Sequence, residues 1–165
     1  MILEKNKDTI TYGFDFLTST VRADSINKIL FEHEDIEHYT NFNIHMNKED
    51  KEEIHSYFEK HYMDKVSFPS YSECLKALIS DFIDILKEYD IKQYKPIVGG
   101  VTSPLHLNAK KGDVWILKDM LMEYGNTYKE GIYTIFRNVK EYYNRDENKE
   151  RKLSFMKKLE KELKV

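Results

Sequence analysis

Cysteine, proline and tryptophan are scarce in this chain of 165 residues, which contains one cysteine, three prolines and one tryptophan. A single cysteine cannot form a disulfide within the chain, and this cysteine usage is typical of a reducing compartment. Cys74 lies among apolar residues at helical spacing, so we predict that it is a small buried hydrophobic residue and not a nucleophile. The expected location is the cytoplasm.

Long hydrophobic runs are also missing, because the longest uninterrupted apolar stretches are only a few residues long. A transmembrane helix needs about 20 such residues, so we expect no membrane association. The first ten residues carry charges where a signal peptide has an apolar core. With 41% hydrophobic and 33% charged residues, the composition is that of a globular protein. We predict one domain over residues 1–165.

The net charge of −3 conceals a marked asymmetry between the two halves of the chain. Residues 1–90 contain 19 acidic and 10 basic residues, whereas residues 91–165 contain 10 acidic and 16 basic ones. One interpretation is that the two halves face each other and neutralise each other's charge. The other is that the first half presents an acidic face to a basic partner.

The most regular pattern lies between Tyr71 and Ile91, where apolar residues recur at steps of three and four. Pro69 precedes this stretch, and Ser70 or Ser72 is suited to cap the first turn of a helix. We predict that this is the central helix of the core. The residues of its apolar face are Leu75, Leu78, Ile79, Phe82, Leu86 and Tyr89.

Other patterns predict further helices and two short strands. Helices are expected over about 24–39, 47–62, 113–124, 127–143 and 144–165, with Asn47 and a Thr127/Glu130 capping box at two of their starts. Alternating polarity predicts strands at 9–16 and 41–46. Residues 92–112 contain Gly99, Gly100 and Pro104, so we expect a loop there, with the option of a short strand at 96–101. The predicted fold class is mainly α: one compact domain of about six helices, with the option of a minimal two- or three-stranded sheet.

A cluster of histidines and acids between Glu32 and His38 is the first candidate for chemistry. On a helix His33 and Glu37 share one face, and with His38 they define a small metal-dependent hydrolase as one alternative. However, four residues separate the two histidines, whereas the zinc-hydrolase motif has three. A solvated helix face explains the same residues, so we expect no metal and no other cofactor.

Two weaker patterns have equally simple explanations. His45, His55 and His61 are candidates for acid–base chemistry, but His55 and Glu59 are one helical turn apart and pair without a catalytic role. Gly99-Gly100 lacks the further glycines, the lysine and the following helix of a phosphate loop. We therefore interpret the glycine pair as a turn.

The basic C-terminal segment makes a nucleic-acid-associated protein the other alternative. Its positive charges are interrupted by acids at helical pairing distance, such as Glu147 with Arg151, which is typical of an ordinary exposed helix. The basic residues are Arg145, Lys149, Arg151, Lys152, Lys157, Lys158, Lys161 and Lys164.

Taken together, these features favour a non-catalytic protein-binding protein. One specific form is an inhibitor or immunity-type protein that neutralises a basic toxin or nuclease through an acidic face. The expected partner is therefore a basic protein. The predicted partner-binding residues are Glu32, Glu34, Asp35, Glu37, Glu49, Asp50, Glu52, Glu53 and Glu59.

Overall fold

The computed structural model describes residues 2–5, 9–14, 17–22, 38–63 and 70–145, together with Asn148, Glu150 and Lys157. The described residues form both strands and α-helices. The strands are β1 (Ile2–Lys5), β2 (Thr9–Phe14), β3 (Leu17–Arg22), β4 (Tyr39–Asn47) and β5 (Thr102–Lys110). The α-helices are α1 (Lys48–Phe58), α2 (Tyr71–Leu86), α3 (Lys111–Glu123) and α4 (Tyr128–Asn144), and a π-helical turn, Glu59–Met63, follows α1.

The strands form two separate antiparallel sheets. The first has the order β1-β2-β3, and β2 and β3 lie against α3. The second pairs β4 with β5 along their whole lengths, from Tyr39 opposite Lys110 to Asn47 opposite Thr102. Apolar side chains from alternate positions of β4 and β5 face the helices and are buried. This face contributes Phe42, Ile44, Met46, Leu105, Leu107 and Ala109.

The predicted mainly α fold of about six helices is wrong, because the described chain is a mixture of helices and sheets. The largest error is β5, which occupies a stretch predicted to be a loop. Pro104 is compatible with this strand because each strand of a two-stranded sheet has one open edge, where a missing N–H is tolerated. The predicted strand at 41–46 exists and pairs with β5. The predicted helix at 24–39 and the C-terminal helix lie mostly outside the described residues.

Helix α2 is at the centre of the core, as the sequence predicts. Ser70 is its N-cap, with its Oγ accepting a hydrogen bond from the Glu73 backbone N–H at 3.3 Å. The helix ends at Leu86, five residues before the predicted end. It lies against α4 and β5, and Cys74 is fully buried on it. Burial raises the pKa of the Cys74 thiol to about 12, so the residue behaves as the buried hydrophobe that was predicted.

The junction between α3 and α4 brings two backbones into close contact. Thr127 caps α4 through a hydrogen bond from the Glu130 N–H to Thr127 Oγ1 (3.2 Å), and Glu130 Oε2 accepts from the Asn126 N–H (3.0 Å). At Gly131 a Cβ atom would lie 1.9 Å from the Leu121 carbonyl oxygen. The helices can approach this closely only because residue 131 has no side chain.

Gly131→Ala is therefore expected to lower the free energy of unfolding by about 1–3 kcal/mol. Helix propensity alone predicts the opposite sign, since alanine stabilises a helix by about 1 kcal/mol relative to glycine. Urea unfolding followed by circular dichroism measures the difference. Ser56→Ala, at an exposed position of α1, is the control and should stay within about 0.5 kcal/mol of wild type. A stabilised Gly131→Ala protein would contradict the close approach.

Among the described residues, no helix is long and apolar enough to cross a membrane.

Candidate functional site

Some residues of the predicted acidic face are exposed in the fold, whereas others are buried or half-buried and bonded within the protein. Glu49, Glu52 and Glu59 are exposed, and Glu59 Oε1 accepts a hydrogen bond from the Tyr71 hydroxyl at 2.7 Å. Asp50 is buried and Glu53 is half-buried. The other predicted residues, Glu32, Glu34, Asp35 and Glu37, lie outside the described part of the chain.

Glu53 is used to join the two halves of the protein. Its Oε1 lies 3.0 Å from Arg137 Nη1 and 2.6 Å from Lys140 Nζ, both on α4. Arg137 also donates from Nε to the Tyr133 hydroxyl (3.1 Å). An acid of the negative half thus pairs with two cations of the positive half. At this position the structure supports the interpretation that the halves complement each other.

Asp50 and the start of α1 form hydrogen bonds to a loop at residues 97–101, which the sequence indicates only by its glycine pair. Asp50 is 3% exposed, and its Oδ2 accepts the backbone N–H of Ile97 at 3.2 Å. Burial raises the pKa of Asp50, while the hydrogen bond from Ile97 opposes that shift. Asn47 caps α1 by accepting from the Glu49 N–H (2.8 Å) and donates from Nδ2 to the Gly99 carbonyl (2.8 Å).

The 97–101 loop that these contacts hold is apolar and exposed. Ile97 is 46% exposed, Val98 89% and Val101 70%. Gly99 and Gly100 have φ values of 87° and 75°, so the turn needs residues without side chains. Together with the bond from the Lys48 N–H to the Val101 carbonyl (2.9 Å), three main-chain positions of the loop are hydrogen-bonded to the start of α1.

The residues that lead into this loop are anchored along α4. Asn138 accepts from the Lys92 N–H (3.0 Å) and donates to the Lys92 carbonyl (2.8 Å). Thr134 Oγ1 accepts from the Tyr94 N–H (3.3 Å) and donates to the Tyr94 carbonyl (3.1 Å). Pro96 is buried between these anchors and the loop. The 91–101 segment is therefore irregular but held at both ends.

The three histidines considered as candidates for acid–base chemistry lie in different environments. His45 is exposed on the outer face of β4, whereas the His61 ring lies 4.3 Å from that of Tyr57. The His55 ring stacks on Tyr71 at 4.2 Å, and burial, followed by the charge of Lys51, lowers its pKa. Because its ring is stacked on Tyr71, His55 has a packing role.

The metal-hydrolase alternative depends on His33, Glu37 and His38. His38 is exposed, and His33 and Glu37 lie outside the described residues. Within the ranges that the structure describes, no three histidine, cysteine, aspartate or glutamate side chains are grouped as a metal site requires.

A buried hydrogen bond between polar side chains joins α2 to α4 inside the core. The Tyr143 hydroxyl donates to Asp81 Oδ1, and both residues are buried. Burial, with Asp81 nearby, raises the pKa of Tyr57, Tyr62 and Tyr143, so these hydroxyls stay protonated. The hydrogen bond from Tyr143 stabilises the Asp81 carboxylate in a dry core.

The basic segment of the nucleic-acid alternative begins at Arg145. Its guanidinium lies 4.7 Å from the centre of the Tyr89 ring, and Nη2 donates to the Tyr89 hydroxyl at 2.8 Å. Lys157 is exposed. The remaining basic residues of this segment lie outside the described part of the chain.

The sequence patterns gave little indication that the 97–101 loop forms an exposed surface. The only signal in the sequence is that three β-branched residues flank a glycine pair. The same pattern is equally compatible with a buried strand. Comparison of the chain with models of protein families, with curated proteins and with solved structures finds no match. The function proposed next therefore rests on the contacts, burial and charges of this chain alone.

Proposed function

We propose that this protein is a non-catalytic binding protein, of the inhibitor or immunity type, that binds a basic protein such as a toxin or nuclease. The binding surface is the 97–101 loop together with the exposed acids at the start of α1, Glu49 and Glu52. The observation that carries the proposal is the exposure of Ile97, Val98 and Val101 on a loop with a hydrogen-bonded backbone.

Exposed aliphatic residues on a held loop favour association with another protein. Single exposed apolar residues are common, but three within five residues form a patch that a partner can cover. Binding by a flexible loop loses conformational entropy, and a loop already held in one conformation loses less. The bonds from Asn47, Lys48 and Asp50 therefore favour tight binding as well as folding.

The charges beside the loop favour a basic partner. Glu49 lies between Lys48 and Asp50, both of which bond to the loop, and Glu52 lies one turn further along α1. Lys48 pairs with Glu52 at 3.9 Å, but both side chains are exposed and the pair is therefore weak. Acids at the rim of an apolar contact accelerate association with a basic surface and disfavour acidic competitors.

The apolar contact is tested with the full-length protein as bait in its native host. Replacing Val98 and Val101 by serine is expected to raise the Kd for the captured basic protein about 10–100-fold, because a partner then covers hydroxyls in place of methyl groups. Leu3→Ser is the matched control, since Leu3 is 50% exposed on a different sheet. Unchanged affinity in the serine variant would overturn the proposed surface.

The acidic rim is tested by association rates. Glu49→Lys/Glu52→Lys should slow association, and the wild-type rate should fall as salt is raised, because screening shortens the Debye length to about 8 Å at physiological ionic strength. Asp50 and Glu53 are left unchanged, because both are bonded within the fold. Glu4→Lys, at an exposed acid on β1, is the control. A partner that associates with the reversed variant at the wild-type rate does not use these acids.

A further inference from the structure

A cavity of about 370 Å³ lies between the 91–101 segment and the turn that joins α3 to α4. Its volume falls within the roughly 300–1,000 Å³ of sites that bind small molecules or single side chains. The residues at its rim, among them Lys95, Met122 and Glu123, are exposed, so the cavity is accessible. The same segment thus lines the cavity with residues 93–95 and forms the exposed loop with residues 97–101.

Two tyrosine rings line the cavity and are fixed in place. The Tyr94 hydroxyl donates to Glu141, and the Tyr94 backbone is bonded to Thr134. The Tyr124 ring packs edge-on against Phe82, with centroids 4.8 Å apart. Burial and the bond to Glu141 raise the pKa of Tyr94 to about 12, and burial raises that of Tyr124. Both hydroxyls therefore stay protonated, and a neutral tyrosine ring attracts cations to its π face.

Two carboxylates stand beside these rings. Glu123 is exposed and forms no ion pair with the described residues. Glu130 is held at the cavity by the turn itself, because its Oε2 accepts the Asn126 N–H at 3.0 Å. Lys95 lines the cavity as well and opposes these charges. Carboxylates beside aromatic rings and the Met122 thioether suit a flat organic cation better than an anion or an aliphatic group.

We propose that this cavity binds the guanidinium group of an arginine side chain of the basic partner. The inference rests on the proposed function, and it adds a specific contact to it. Guanidinium is planar, stacks on aromatic rings and donates hydrogen bonds to carboxylates in pairs, whereas an ammonium group is more strongly hydrated. A partner seated on Val98 reaches the cavity along one continuous stretch of chain, since only three residues separate Val98 from Tyr94.

The cavity is tested first without a partner, by titrating the full-length ¹⁵N-labelled protein with the capped peptide acetyl-Gly-Arg-Gly-amide. The same peptide with citrulline in place of arginine keeps the shape and removes the charge. We expect the arginine peptide to bind about tenfold more tightly, with amide shifts centred on Gly125 and Asn126. Equal affinities, or shifts elsewhere on the protein, would overturn the assignment of the cavity to a cation.

Variants of the lining residues are expected to change the affinity for the arginine peptide in opposite directions, which a general loss of folding would not produce. Glu123→Gln and Tyr124→Leu should each weaken the arginine peptide about three- to tenfold, whereas Lys95→Gln should tighten it about threefold by removing the opposing charge. Glu4→Gln, at an exposed acid on β1, should leave the affinity unchanged. Weaker binding by Lys95→Gln would contradict a cation site.

Binding of the captured partner to two variants then distinguishes this inference from the proposed function. Glu123→Gln should raise the Kd for the partner about three- to tenfold. If the serine variant of Val98 and Val101 loses the partner while Glu123→Gln binds it normally, the partner arginine does not occupy the cavity and the proposed function stands. If both variants bind the partner normally, the proposed function is wrong as well.

Discussion

Replacing Phe82 by alanine is expected to lower the free energy of unfolding by about 3–5 kcal/mol. Phe82 is fully buried on α2, and its ring contacts that of Tyr124 edge-on. Alanine removes most of the apolar surface and leaves a cavity that rigid neighbours on α4 and β5 fill only in part. Leu78→Ala and Ile79→Ala, at equally buried positions, should each lose about 2–5 kcal/mol.

Denaturant unfolding of the three variants measures these losses. Val98→Ala is the matched control, because it also removes methyl groups but from a side chain that is 89% exposed, and it should change stability by no more than about 0.5 kcal/mol. If all three core variants unfold with the wild-type midpoint, α2 is not the centre of the core.

Lys76→Met is expected to destabilise the protein by about 3–5 kcal/mol. Lys76 Nζ lies 2.5 Å from Asp113 Oδ2 and 3.2 Å from Glu73 Oε1, and the Lys76 and Asp113 side chains are only 16% and 9% exposed. Burial lowers the pKa of Lys76, but its bonds to Asp113 and Glu73 outweigh burial and raise it. Lys76 is therefore charged at neutral pH, and the stability that its raised pKa contributes is lost as the pH rises through that pKa. Methionine would leave Asp113 buried without its cation.

The double variant Lys76→Met/Asp113→Leu separates the ion pair from simple packing. It should recover most of the lost stability, because two apolar residues leave no buried charge. Lys87→Met is the exposed counterpart: Lys87 pairs with Asp84 at 3.4 Å but its side chain is 72% exposed, so the expected change is below about 1 kcal/mol. Equal losses in Lys76→Met and Lys87→Met would show that burial of the pair contributes nothing.

Several features that depend on neighbours along the chain were predicted correctly, although α3 begins at Lys111, two residues before the predicted start at Asp113. Asn47, Ser70 and Thr127 each cap the helix that the sequence assigns to it, because a cap needs only a side-chain oxygen two or three residues before a free N–H. The apolar face of α2 and the burial of Cys74 follow in the same way from helical periodicity.

The sheet that supports the core was only half predicted, because its second strand depends on a distant partner. Residues 105–110 alternate in polarity as a strand does, but Gly99, Gly100 and Pro104 directly before them favour a loop. Pairing with β4 decides between the two, since Leu105 comes to lie opposite Ile44, which is 61 positions earlier in the chain. No local pattern contains that information, and without it the fold was predicted to be mainly α.

What the sequence determined by itself is the local framework: the caps of α1, α2 and α4, the apolar face of α2, the irregular turn at Gly99-Gly100 and the uneven charge of the two halves. Tertiary structure alone decided which charged and apolar side chains face outward. Asp50 and Glu53 belong to the same acidic run as Glu49 and Glu52, yet the first bonds to Ile97 and the second to Arg137 and Lys140. Helical periodicity places a side chain on a face, but its exposure depends on which distant backbone or charge packs there. For the same reason, only the folded chain shows Val98 exposed beside the acids of α1.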